Sequence, residues 1–194
     1  MKLIVITTPV PFAGEIPLVC QLLELGLETL HVRKPGFSYQ EMQNYLNEIP
    51  LPYHSRLMLH SHHELAQECQ LKGLHFPVAA RATATTIPKQ QLLFSTSFHK
   101  LGELYQPQPL FDYAFLSPIF NSISKVGYQA AFTPEAVQEA LQKATVPVVA
   151  LGGVSVDKLA AVREMGFAGA AVLGAVWQAA EPVKAFLELQ QQTA

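Results

Sequence analysis

Two apolar runs near the end of the chain constrain its fold most. One is Pro147-Val148-Val149-Ala150-Leu151-Gly152-Gly153-Val154, and the other is Gly169-Ala170-Ala171-Val172-Leu173-Gly174. Both consist of small and β-branched residues, carry no polar side chain and end on glycine. Short unbroken runs of this kind read as strands buried on both faces, the mark of a parallel sheet. A helical pattern follows each, over 156–165 and 182–191. Two strand–glycine–helix units in succession predict the last strands of a (β/α)8 TIM barrel, an α/β fold whose loops after strands 7 and 8 commonly build a phosphate site.

The rest of the chain supplies the other units. Strands are predicted at 3–7, 27–32, 56–59, 73–76, 92–96 and 113–116. Between the first two, Ile16, Val19, Cys20 and Leu23 recur at helical spacing, and Gly26 ends that helix. Ser38 and Glu41 form a capping box for the next helix, with Phe37 set to staple onto Met42 and with Met42, Tyr45, Leu46 and Ile49 facing inward. A short third helix is expected at 64–69. The fourth unit is degraded: 79–88 has little helical periodicity, so a reduced helix or turn is expected there, in a barrel more compact than most. A small helix at 100–105 follows. Thr133-Pro134 then gives an N-cap with proline at the first helical position, before a stripe of Val137, Ala140, Leu141 and Ala144. Alternation of strand and helix throughout argues for one domain over 1–194.

Composition narrows the function. The 194 residues suffice for one domain with a substantial core. A net charge of −2 with scattered basic residues gives no support for a nucleic-acid partner. The chain opens directly into a strand, and no apolar run is long enough to cross a membrane. Cys20 and Cys69 form no close-spaced motif and read as reduced thiols of a cytoplasmic protein. Histidine is the unusual feature, with seven copies, several at the ends of apolar runs.

In a barrel the strand ends share one rim, and active sites of this fold sit there. The rim collects Thr7, His31, Arg33, Lys34, His60, Ser61, His75, Ser97, His99, Ser117, Lys125, Gly152, Gly153 and Gly174. The glycines expose backbone N–H groups at helix starts, which favour an anion such as phosphate. Arg33 offers a fork for phosphate and Lys34 a point charge. Ser122, Ser124 and Lys125 put two hydroxyls and an ammonium on a long loop after strand 6, the arrangement of a closing lid. His60 and His62 form an H-x-H pair, and His31, His75 and His99 share the predicted rim, so a metal-dependent hydrolase is conceivable, but no carboxylate stands at a predicted strand end.

The ordered motifs resemble the thiamine phosphate synthase family, which includes the related thiazole tautomerases. The matching pieces are Leu30-His31-Val32-Arg33-Lys34, Leu57-Met58-Leu59-His60-Ser61, Gly73-Leu74-His75, Ser95-Thr96-Ser97-Phe98-His99, the stretch from Asp112 to Lys125, and both glycine-ended runs. The resemblance implies a barrel enzyme of thiamine biosynthesis, a transferase. Such an enzyme joins hydroxymethylpyrimidine diphosphate to thiazole phosphate, giving thiamine phosphate and pyrophosphate. It implies Arg33, Ser97 and Lys125 as catalytic residues, with Ser122 and Ser124 helping on pyrophosphate and Gly153 and Gly174 on the thiazole phosphate. His31, Lys34, His60, His75, His99 and Gly152 join them as substrate-binding candidates. Its partners would be the two phosphorylated small molecules, with no nucleic acid and no membrane. The family's cofactor is Mg²⁺. Ser61 stands at the family's magnesium Asp position, and 76–80 carries no counterpart of a second Asp. The alternatives are a tautomerase-like enzyme with a rim His such as His75 or His99 moving a proton, and a non-catalytic binder of thiazole or thiamine phosphate.

Overall fold

The structure, a computed structural model, describes residues 1–121 and 131–194. Eight strands form a closed, all-parallel barrel in chain order: β1 (Lys2–Ile6), β2 (Leu30–Val32), β3 (Leu57–Leu59), β4 (Gly73–Phe76), β5 (Leu93–Phe98), β6 (Tyr113–Leu116), β7 (Val148–Leu151) and β8 (Gly169–Val172). The ring closes where β8 pairs with β1, Gly169 opposite Lys2 and Val172 opposite Val5. Gly169 is required at this seam, because a Cβ there would lie 2.8 Å from the Lys2 carbonyl oxygen.

The outer layer comprises α1 (Glu15–Glu24), α2 (Tyr39–Asn47), α3 (Leu65–Glu68), α4 (Pro134–Gln142), α5 (Leu159–Glu164), α6 (Gly174–Trp177) and α7 (Pro182–Thr193). The Ser38–Glu41 capping box forms as expected, and Thr133 caps α4 through the Ala136 N–H. Phe37 packs edge-on to Tyr45 at 5.9 Å between ring centroids. The fourth unit is reduced as expected: Val78–Thr86 is a 3-10 segment.

Several expectations are corrected. Leu101–Tyr105, expected as a small helix, is also 3-10. The second strand begins at Leu30, three residues later than expected, because the Leu27 N–H still bonds back to Leu22 as part of the α1 terminus. Helix 156–165 divides into a 3-10 turn, Val156–Lys158, and α5. In α1, Ile16 and Cys20 are only half-buried, and Leu22 takes a place in the buried face beside Val19 and Leu23.

Side chains alternate along each strand between the helical layer and the barrel interior. The interior is divided by chemistry. Ile4, Ile6, Phe115, Val149 and Ala171 form an apolar cluster from β1, β6, β7 and β8. The other half, from β2 to β6, is lined by His31, His75, Ser95 and Tyr113, with His60 just beyond β3.

Candidate functional site

The polar half of the interior is one connected network. His31 Nδ1 lies 2.9 Å from His60 Nε2, and His31 Nε2 lies 2.6 Å from the Tyr113 hydroxyl. His75 Nδ1 meets Ser95 Oγ at 3.0 Å, and its Nε2 meets Ser97 Oγ at 3.1 Å. His60 and His75 stack with centroids 4.2 Å apart and planes inclined by 28°. The β-register explains the meeting. His31 pairs with Met58 and Leu59 with Leu74, so His60 and His75 each follow a paired residue and come up beside His31 on neighbouring strands.

Burial holds these imidazoles neutral. It lowers His75 to about 3, with the charges of His63 and Arg33 adding to the effect. It holds His31 and His60 well below the usual imidazole range, again with other cations nearby, and raises the Tyr113 phenol. The barrel floor beneath the rim is therefore polar, hydrogen-bonded and uncharged at neutral pH.

At the rim, Arg33 is half-buried. Its backbone N–H donates to Thr7 Oγ1 at 2.9 Å, and Thr7 Oγ1 donates to the Arg33 carbonyl at 3.3 Å, which fixes the ends of β1 and β2 to each other. The Arg33 charge is close enough to weigh on both His60 and His75. Ser97 is half-buried near the end of β5, and Arg81 Nη2 donates to its carbonyl at 2.6 Å while pairing with Glu103 at 3.2 Å. The reduced fourth unit thus supplies the group that holds the end of β5. Gly152 and Gly153 have φ of 92° and 67°. A Cβ on Gly153 would collide with the backbone of Asn121 and Phe120, so this turn packs tightly against the chain leaving β6. Gly174 opens α6, whose first N–H groups have no intrahelical partner.

The structure does not bring every candidate to this mouth. Lys34, expected on substrate, is wholly buried with its ammonium 2.6 Å from Glu15 and donating to the Thr8 carbonyl at 2.7 Å. In an extended segment it points opposite to Arg33, into the layer between strands and helices. His62 is separated from His60: it has a positive φ of 53°, and its Nε2 meets the Phe37 carbonyl. The H-x-H pair of the metal-hydrolase alternative therefore does not form. His99 is exposed and its Nδ1 bonds the Ser117 carbonyl at 3.0 Å, outside the histidine network. Ser122, Ser124 and Lys125 lie outside the described residues. Sequence reasoning missed Tyr113, Ser95 and Arg81. The signal for the first two was present, since Tyr113 alternates with Phe115, and Ser95 with Ser97, on the inward side of their strands.

The Mg²⁺ implied by the resemblance finds no hard-oxygen set here. Among the described residues the one buried carboxylate is Glu15, held by Lys34, and 122–130 contains no Asp or Glu. Ser61, at the corresponding position, has a buried hydroxyl with no hydrogen-bond partner among the described residues. Mg²⁺ takes oxygen ligands with carboxylates prominent among them, so imidazoles and one serine do not fit it.

Comparison with known proteins agrees with this architecture. The family model described as thiamine monophosphate synthase matches residues 3–176. A thiamine-phosphate synthase of Latilactobacillus sakei is 28% identical over 187 residues, spanning 91% of this chain and 84% of the relative. The crystal structure of a thiamine phosphate pyrophosphorylase from Bacteroides thetaiotaomicron is 31% identical with a TM-score of 0.83, covering 100% of this chain and 98% of the other. A thiamine phosphate pyrophosphorylase from Pyrococcus furiosus, 22% identical, shares the fold with a TM-score of 0.82 over 98% of this chain and 94% of its own.

Proposed function

This chain belongs to the thiamine monophosphate synthase family, and from that premise we propose that it is a transferase coupling hydroxymethylpyrimidine diphosphate to thiazole phosphate, with release of pyrophosphate. The observation that carries this reading is the rim itself. Arg33, Ser97, Gly153 and Gly174 come from the ends of β2, β5, β7 and β8 of one closed barrel, around a single mouth.

Departure of pyrophosphate leaves a resonance-stabilised pyrimidinyl cation, which the thiazole nitrogen traps. The barrier falls when negative charge developing on pyrophosphate meets donors already in place. Arg33 is the described cation suited to this, its backbone anchored to Thr7 at the end of β2. Ser97 would donate to the diphosphate or the pyrimidine, with its hydroxyl oriented by His75. The thiazole phosphate would rest on the backbone N–H groups at Gly153 and Gly174. Lys125, Ser122 and Ser124 take part on the strength of the resemblance alone. A cytoplasmic setting suits two free, half-buried cysteines, and no helix among the described residues is long and apolar enough to cross a membrane.

The test is to incubate the protein with both phosphorylated substrates, with and without added Mg²⁺, and to measure thiamine phosphate. Turnover is expected, and Arg33→Ala should lower kcat by about 10²–10³. Absence of product under both conditions, with thiazole phosphate still binding, would replace this reading with that of a binder.

A further inference from the structure

The histidine network does something the hydroxyl and glycine rim does not require. Three imidazoles from three adjacent strand units come together inside the barrel, His31 and His60 nitrogen to nitrogen and His75 stacked on His60, and one ligand atom from each of His31, His60 and His75 lies within 4.8 Å of the others. We propose that these three residues form a binding site for a transition-metal ion of the Zn²⁺ or Co²⁺ class.

Distances support a common ion. Two nitrogens each about 2.05 Å from a metal lie about 2.9 Å apart at a right angle and about 3.3 Å apart at a tetrahedral one. His31 Nδ1 and His60 Nε2, at 2.9 Å, already stand in that range. His75 has further to come. It must tilt inward by on the order of 1 Å, out of its stack on His60. Its nitrogens are held by serine hydroxyls at 3.0 and 3.1 Å, which turn readily.

The supporting shell is present as well. A ligating histidine normally donates its other ring N–H to an oriented acceptor, which fixes tautomer and ring angle. If His31 ligates through Nδ1, its Nε2–H donates to the Tyr113 hydroxyl at 2.6 Å. If His75 ligates through Nε2, its Nδ1–H donates to Ser95 Oγ at 3.0 Å. The donor set selects the metal: imidazoles suit Zn²⁺, Co²⁺, Ni²⁺ or Cu²⁺ and not Mg²⁺. Three histidines leave a fourth position open, and His60 is partly exposed. Arg33, on the rim side, opposes a bare dication. It is half-exposed and screened, and favours a metal that carries an anion at the open position.

The inference stands apart from the synthase reading, because metal binding is read without substrates. Tag-free protein is stripped with chelator and dialysed against Zn²⁺, Co²⁺ or Mg²⁺. Bound metal is then measured by elemental analysis, and Co²⁺ coordination by its visible absorption. The expected result is a single Zn²⁺ or Co²⁺ per chain, with no retained Mg²⁺. His60→Ala, at the partly exposed member, should abolish binding. Tyr113→Phe should weaken it by about tenfold or more, and His62→Ala should leave it unchanged. Substoichiometric metal in the parent protein would overturn the proposal. So would equal binding by His60→Ala in a variant whose circular dichroism matches the parent.

Discussion

Lys34 and Glu15 show how much a single residue's direction decides. Their side chains are 0% and 2% exposed, and the Tyr45 hydroxyl also donates to Glu15 at 3.3 Å. Taking the pair out of water is costly. Breaking it by removing one charge is costlier, because the other stays buried and uncompensated. Lys34→Met should therefore lower stability by about 3–5 kcal/mol, read by urea unfolding, while the double variant Glu15→Gln/Lys34→Met recovers most of the loss. A Lys34 that served substrate instead would show little stability change and a large rise in KM. The sequence marks Lys34 as a cation beside Arg33, and strand alternation separates the two. It could not identify Glu15 as the partner, since that pairing reaches across a helix and a strand. The same holds for the histidines. His31, His60 and His75 were legible as strand-end residues, whereas Tyr113 and Ser95 as their partners depended on strands far apart in sequence.

Elements follow local chemistry more closely. The N-terminus of α2 was written in Ser38 and Glu41: the Ser38 N–H and hydroxyl both donate to Glu41 at 2.7 Å. Ser38→Ala should cost about 1 kcal/mol, measured by denaturant midpoint, with the fold retained. The two glycines at helix and strand ends separate backbone freedom from space. Gly166 has φ of 90° and open space where a Cβ would go, so Gly166→Ala should cost about 1 kcal/mol from its left-handed conformation alone. Gly153 has a similar φ and no space, since a Cβ would strike Asn121 and Phe120. Gly153→Ala should destabilise more than Gly166→Ala and should also weaken thiazole phosphate binding, read by calorimetry. Equal losses in the two variants would show that the close approach carries no cost. The 3-10 segments at 78–86 and 101–105 were not legible as such, because weak periodicity predicts a weak helix without saying which hydrogen-bond pattern replaces it.

At the scale of the molecule, stability depends on closure. β1 and β8 join the two ends of the chain, and the Met1 ammonium donates to the Thr193 carbonyl at 2.7 Å. The last helix, α7, packs on β1 and α1, with Phe186 and Leu189 fully buried. Phe186→Ala should cost about 3–5 kcal/mol, a large part of the 5–15 kcal/mol typical of a folded domain. The loss should appear as a single cooperative shift of the unfolding curve with the slope preserved.

The sequence alone determined the alternation of strand and helix, the glycine turns after β7 and β8 and the reduced fourth unit. Each of these is set by period, capping or backbone freedom within a few neighbouring residues. The tertiary structure alone decided which rim residues meet. It buried Lys34 against Glu15, parted His62 from His60, and brought His31, His60 and His75 together over Tyr113 and Ser95. Those outcomes depend on strand register around a closed ring, and register is a relation between distant segments that no local pattern contains.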